Sequence, residues 1–166
     1  TEKDKITNIE DVIGSGYNDT IYGNNGTNFI QAGAGDDRIF AGGGYDFIDG
    51  GTGSDWISYL PRDYPNLSDN PSFMQTINGI SVDLNSSDFV MVKETSTNRL
   101  IDLVKSVEQV SATDGNDVIY GANSAETFWG HAGNDTLWGR GGNDTIYGGS
   151  GNDTIRPGGG LDYSDG

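Results

Sequence analysis

The chain has 166 residues, 25 acidic against 9 basic, which leaves a net charge of −16 and an isoelectric point near 4.1. That balance excludes nucleic acid as a partner, because binding a phosphate backbone requires a basic surface. With 35 Leu, Ile, Val and Phe against 27 Gly a thick core is excluded, no Cys and one His leave oxygen as the ligand for any metal, and no apolar run reaches the roughly 18 residues of a membrane span.

From Gly14 a nine-residue period opens. GSGYNDTIY, GNNGTNFIQ, AGAGDDRIF, AGGGYDFID and GGTGSDWIS follow one another without a gap to Ser58. The period returns at Ala112 and runs to Asp165 as ATDGNDVIY, GANSAETFW, GHAGNDTLW, GRGGNDTIY, GGSGNDTIR and PGGGLDYSD. Position 6 is acidic in ten of the eleven blocks, Asn28 being the exception and Glu126 the only Glu, and position 8 is apolar in ten, Ser164 being the exception. Positions 1 to 6 suit a tight turn with positive φ. Positions 7 to 9 suit a short strand whose middle residue points away from its two neighbours. Two blocks then make one 18-residue coil with strands on opposite sides, each stacked in parallel on the strand two blocks later. The predicted fold is all-β, a right-handed parallel β-roll (β-solenoid) with a thin core of Ile, Leu and Phe.

Stacked coils sit about 4.8 Å apart, so position-6 carboxylates of blocks n and n+2 face each other and repel unless neutralised. Ca²⁺ takes oxygen ligands at about 2.3 to 2.6 Å, so one ion bridges two coils, with carboxylates and turn carbonyls supplying six or more oxygens. Mg²⁺ is smaller and holds its waters, and fits less well.

GGTGSDWIS and GGSGNDTIR match the nonapeptide G-G-x-G-x-D-x-U-x, and the chain resembles the repeat-in-toxin (RTX), haemolysin-type calcium-binding family. The resemblance implies a module that folds on Ca²⁺ after export by the type I secretion machinery of a Gram-negative bacterium, serving as an extracellular scaffold within a larger protein with flanking domains. It also implies ligands, namely the position-6 side chains and the carbonyls of positions 1 to 4. On one side of the first array it pairs Asp19 with Asp37 and Asp37 with Asp55, and on the other Asn28 with Asp46. In the second array it pairs Asp117 with Asp135, Asp135 with Asp153, and Asp144 with Asp162, for about six ions. The implied carbonyls are those of Ala32, Gly33, Ala34 and Gly35, of Gly50, Gly51, Thr52 and Gly53, and of Gly130, His131, Ala132 and Gly133. Gly139, Arg140, Gly141 and Gly142 follow, then Gly148, Gly149, Ser150 and Gly151, and finally Gly158 and Gly160. Tyr17 in place of the fourth-position Gly, the uncharged Asn28, and Ser124 with Glu126 depart from the motif. A Glu126/Asp144 site is expected to be weak or empty.

Shifting the sequence by 98 residues aligns Ile9 with Val107, Glu10 with Glu108 and Asp19 with Asp117, a larger repeat that points to a longer natural array. The expected division is 1–58, a lead-in strand and the first array; 59–111, a connecting β-rich segment; and 112–166, the second array. In the connecting segment Pro61, Pro65 and Pro71 make an irregular start. Ile80, Val82 and Leu84 then alternate with polar residues, and apolar runs follow at 89–92 and 100–104. These read as irregular coils continuing the solenoid, or as a small β subdomain packed on it.

Outward positions 7 and 9 carry Tyr22, Phe29, Phe40, Phe47, Trp56, Tyr120, Trp129, Trp138 and Tyr147. Stacking at n+2 places Tyr120 beside Trp138 and Trp129 beside Tyr147, either as an adhesion or surface-layer platform for polysaccharide or as cover for a thin sheet. Asp114 to Glu126 has the length of an EF-hand loop, but Ile119 stands where that loop needs Gly. No Ser-His-Asp order, nucleophile elbow or phosphate loop occurs, so no catalysis is expected.

Overall fold

The computed structural model describes residues 10–63 and 77–166, so Ile9, Pro65 and Pro71 lie outside the described residues. The first array forms β1 (Asp11–Ile13), β2 (Thr20–Tyr22), β3 (Phe29–Ala34), β4 (Arg38–Phe40), β5 (Phe47–Thr52) and β6 (Trp56–Ser58), followed by a 3-10 turn at Pro61–Asp63. The connecting segment forms β7 (Ile80–Asp83), β8 (Val90–Glu94) and β9 (Leu100–Lys105). Then come β10 (Gln109–Ser111), β11 (Val118–Tyr120), β12 (Thr127–Ala132), β13 (Thr136–Trp138), β14 (Thr145–Ser150), β15 (Thr154–Arg156) and β16 (Tyr163–Asp165).

Within each array consecutive strands alternate between two sheets, and parallel partners lie 18 residues apart, as in Ile21↔Ile39, Ile30↔Ile48 and Leu137↔Ile155. Position 8 lines the interior, where Ile30, Ile39, Ile48, Ile57, Val110, Ile119, Phe128, Leu137 and Ile146 are all buried. Position 6 has the parity of position 8, so its side chain also turns inward. The repeat therefore buries a carboxylate beside the apolar rungs at Asp37, Asp46, Asp55, Asp117, Glu126, Asp135 and Asp144.

Both sheets run through the boundary between the arrays. One has the order β16-β14-β12-β10-β6-β4-β2, in which β10 pairs directly with β6 through Ile57↔Val110. The other has the order β1-β3-β5-β9-β8-β7-β11-β13-β15. There β9 is parallel to β5, β8 is antiparallel to both β9 and β7, and β7 is parallel to β11. The connecting strands thus enter one sheet as a meander, because the chain around 84–89 and 95–99 reverses direction within that sheet where a nonapeptide turn crosses to the opposite one.

Four of the repeat strands are six residues long where the period predicts three, since pairing continues into the next turn, as in Gly33↔Gly51. That continuation brings turns into close contact. Gly51 has φ of 105°, and a Cβ there would collide with the Gly33 carbonyl, so both conformation and stacking require glycine.

Candidate metal centre

Each turn brings its position-6 side chain into a ladder along one edge of the solenoid. The backbone N–H of Asp19 donates to Asp37 Oδ1 (2.7 Å), that of Asp37 to Asp55 Oδ1 (2.9 Å) and that of Asn28 to Asp46 Oδ1 (2.8 Å). In the second array Asp117 donates to Asp135 (2.8 Å), Asp135 to Asp153 (2.9 Å), and Glu126 to Asp144 and Asp144 to Asp162 (both 3.0 Å). All the n/n+2 neighbours expected from the sequence are brought together.

The second carboxylate oxygen separates two kinds of turn. Oδ2 of Asp37, Asp46, Asp55, Asp135, Asp144 and Asp153 is buried without a hydrogen-bond partner. Each of these six lies in a turn with left-handed residues at positions 2 and 4, such as Gly33 and Gly35 or Arg140 and Gly142. In the first coil of each array the same oxygen is satisfied by its own turn. Asp19 Oδ2 accepts from Ser15 N (2.6 Å) and Ser15 Oγ (2.9 Å), and Asn28 Oδ1 from Asn24 N (2.9 Å). Asp117 Oδ2 accepts from Thr113 N (3.1 Å) and Glu126 Oε2 from Ala122 N (3.3 Å). Ser15, Asn24 and Thr113 also accept the position-4 N–H through their side chains (3.2, 2.6 and 2.9 Å), which closes the turn without positive φ.

Burying a carboxylate with an unpartnered oxygen is costly, and burial pushes Asp46, Asp55, Asp135 and Asp144 up. Asp55 and Asp135 reach about 6, and Asp46 about 8, with the charge of Asp102 adding to its burial. Asp117 and Glu126 are pushed up to about 7, again chiefly by burial. A cation would supply the missing partner, and the surroundings suit a hard one. A Cβ at Gly130 would collide with Asp135 Oδ2 and approach the Gly148 carbonyl, and one at Gly139 would meet Asp144 Oδ2 and the Pro157 carbonyl. Carboxylate and carbonyl oxygens converge where only glycine leaves room, a donor set suited to Ca²⁺. Among the described residues no group of three or more His, Cys, Asp or Glu is placed to hold a metal ion by itself, and the carbonyls of Gly148 and Pro157 are the oxygens that lie beside the carboxylates.

Two ladder members were missed in the sequence. Asp46 N–H donates to Asp102 Oδ1 (3.0 Å) and Asp55 N–H to Glu108 Oε2 (2.9 Å). The signal was present as Asp102-Leu-Val-Lys and Glu108-Gln-Val-Ser, but spaced by six residues rather than nine.

Of the outward aromatics, Tyr120 and Trp138 meet edge to face (5.3 Å) and Trp129 lies nearly parallel to Tyr147 (6.1 Å). Arg140, held by Asp83, covers Tyr120 at 5.6 Å, and Arg156 covers Trp138 at 4.4 Å. Phe40 departs from its outward expectation. It is buried between Tyr22 (4.8 Å) and Trp56 (5.2 Å), because the narrow sheet brings successive rings into contact.

His131, at the second position of a turn with φ of 75°, does more than connect strands. Its Nε2 lies 2.8 Å from Ser111 Oγ, which donates to Asp63 Oδ2 (2.9 Å). The hydroxyl proton is committed to the carboxylate, so the imidazole is a donor and not the base that a nucleophilic serine needs.

No curated protein matches the chain. The family model for the RTX calcium-binding nonapeptide repeat (four copies) matches residues 8–37, 22–57, 107–137, 121–155 and 129–163, leaving β7, β8 and β9 outside. The chain therefore belongs to the RTX calcium-binding nonapeptide repeat family, as a structural, non-catalytic, right-handed parallel β-roll that binds calcium.

Proposed function

We propose that this is a secreted module whose fold is completed by Ca²⁺ outside the cell, the ions sitting in the six glycine-rich turns. The observation that carries this reading is the confinement of orphaned buried Oδ2 atoms to those turns, at Asp37, Asp46, Asp55, Asp135, Asp144 and Asp153. These carboxylates hold the ions together with the carbonyls of turn positions 1 to 4, and Asp162 closes the last ladder. Asp19, Asn28, Asp117 and Glu126 act as hydrogen-bonded caps on the first coil of each array. When bound, calcium neutralises the ladders and fills the oxygen cradles.

In a Gram-negative host the chain leaves through a type I secretion machinery, unfolded at submicromolar calcium, and folds as a scaffold within a larger extracellular protein. Residues 1–58 and 112–166 are the calcium-loaded arrays and 59–111 the junction between them. At tenfold excess over Kd each ion contributes RT ln 11, about 1.4 kcal/mol, so six contribute on the order of 8 kcal/mol. That is comparable with a whole domain's stability of about 5 to 15 kcal/mol. The guanidinium groups over Tyr120 and Trp138 favour this scaffold reading over a polysaccharide platform on those rings.

Circular dichroism in chelator and then in millimolar Ca²⁺ tests the proposal. A largely disordered chain that becomes β-rich, with a steep titration near 10⁻⁴ to 10⁻³ M, is expected for sites of the extracellular class. An unchanged folded spectrum overturns it.

A further inference from the structure

The two ladders do not stop where the nonapeptides stop. Leu103-Val104-Lys105 pair with Phe47-Ile48-Asp49, and Gln109-Val110-Ser111 with Trp56-Ile57-Ser58. Asp102 and Glu108, each one residue before such a triplet, therefore occupy position 6 of a coil that lacks the rest of the motif. Their hydrogen bonds from Asp46 and Asp55 N–H (3.0 and 2.9 Å) have the lengths found between aspartates inside the arrays.

We infer that Asp102 and Glu108 are calcium ligands that complete the sites of turns 41–46 and 50–55, extending both metal ladders of the first array one coil into the connecting segment. The inference rests on the calcium reading above. Asp46 and Asp55 are fully buried with orphaned Oδ2 atoms, which points to a ligand at each place. On the Asp46 edge Asp102 is a second buried carboxylate, 2% exposed and in contact with Asp46. The nearest lysine on its strand, Lys105, is committed to Asp49 at 3.0 Å.

On the other edge the backbone completes the pattern. In the arrays the position-1 glycine is enclosed by its own Asp Oδ2 and the position-1 carbonyl of the next coil, as at Gly130 with Asp135 and Gly148. At Gly50 the enclosing groups are Asp55 Oδ2 and the carbonyl of Ser106. Ser106 has a left-handed φ of 52°, so the three residues 106–108 replace a six-residue turn and still present a carbonyl and a carboxylate.

Metal loading then couples the first array to the connecting segment. The last two turns of the first array gain their next-coil partners only when the connecting segment has folded onto β5 and β6. The rival occupant on the Asp46 edge is a proton shared between Asp46 and Asp102.

The full chain and its variants Asp102→Asn and Glu108→Gln are compared by equilibrium dialysis against radioactive calcium and by hydrogen exchange in saturating Ca²⁺. The amide side chains retain an acceptor for the Asp46 and Asp55 N–H groups while removing the charge. Each variant is expected to lose one bound ion, or at least tenfold in affinity for it. Exchange protection is lost in turn 41–46 for Asp102→Asn and in turn 50–55 for Glu108→Gln, while turns 130–135 and 148–153 stay protected. Calcium anomalous scattering from crystals of the wild-type chain gives a readout that does not depend on the variants folding, with ions beside Asp102 and Glu108 expected. Ions in the array turns but none at these two carboxylates, or variants with full stoichiometry and protection, overturn the inference and leave the proposed function standing. A wild-type chain that takes up no calcium overturns both.

Discussion

Turns 14–19 and 32–37 are stacked neighbours on one ladder and carry an aspartate at the same position, yet the two carboxylates are in opposite states. Asp19 is held by the backbone N–H and hydroxyl of Ser15, whereas Asp37 has one oxygen buried without a partner. The turns differ at positions 1 to 5, and the difference that reaches the carboxylate is at position 2, Ser15 in one turn and Gly33, at φ of 114°, in the other. A hydroxyl there accepts the position-4 N–H and keeps the turn in an ordinary conformation that points the position-2 N–H at the carboxylate. A left-handed residue there leaves the oxygen to another partner. Thr113 and Asn24 repeat the first arrangement, and Ala122 donates its N–H to Glu126 without such a side chain, so the capped turns share a position-2 residue of ordinary φ while the open turns have a left-handed one.

The largest effect that sharpens this comparison is that of pH with and without calcium. In calcium-free solution the carboxylates raised to about 6 to 8, at Asp46, Asp55, Asp117, Glu126 and Asp135, bind more protons folded than unfolded. Their contribution is fully present below the unfolded value of about 4 and is lost as pH rises through the folded values. The calcium-free chain should therefore gain β structure between pH 8 and pH 5. In millimolar Ca²⁺ the sign reverses, because protons compete with the ion and acidification releases it. Circular dichroism melts at pH 5 and pH 8 in both buffers check this, and parallel slopes would break the assignment of the buried carboxylates to the metal.

Next in size is the difference between an interior and a terminal ladder member. Asp135 lies between Asp117 and Asp153, while Asp162 has only Asp144. Asp135→Ala, which removes the open carboxylate of its own turn, should lose that turn's ion and about 1.4 kcal/mol at tenfold excess over Kd, whereas Asp162→Ala, which removes only the next-coil partner of Asp144, should weaken one site and cost less. Calcium stoichiometry and melting temperature measured on the two variants decide the matter, and equal losses would contradict the ladder.

Much of this architecture is legible in the sequence because one period sets strand length, inward parity and stacking together. Ile21 over Ile39 and Asp19 over Asp37 follow from nine-residue spacing alone. The division of turns into capped and open was less visible, since nothing in the nonapeptide pattern marks Ser15, Asn24 and Thr113 until their hydrogen-bond partners are known. Asp102 and Glu108 escaped because a three-residue turn breaks the period while preserving the ladder. The meander of β7, β8 and β9 was readable as strands but not as members of one sheet, because short alternating segments do not specify which neighbour they pair with.

The smallest effect is the most direct test of the two kinds of turn. Ser15→Ala removes the oxygen that accepts the Tyr17 N–H (3.2 Å) and donates to Asp19 (2.9 Å), but leaves the Ser15 N–H on Asp19 Oδ2 (2.6 Å). Ser15 and Tyr17 are exposed, so water replaces the lost partner and the cost should be about 0.5 to 1 kcal/mol, a melting shift of roughly 1 to 4 °C. Calcium stoichiometry should not change, since Asp19 remains capped. Asp37→Ala, one coil away, should lower it. If Ser15→Ala instead loses an ion as Asp37→Ala does, the hydroxyl belongs to a metal site and the distinction between the first coil and the glycine turns fails. If it gains one, the side chain at position 2 is what keeps calcium out of the first coil, and the comparison becomes a causal statement about a single residue.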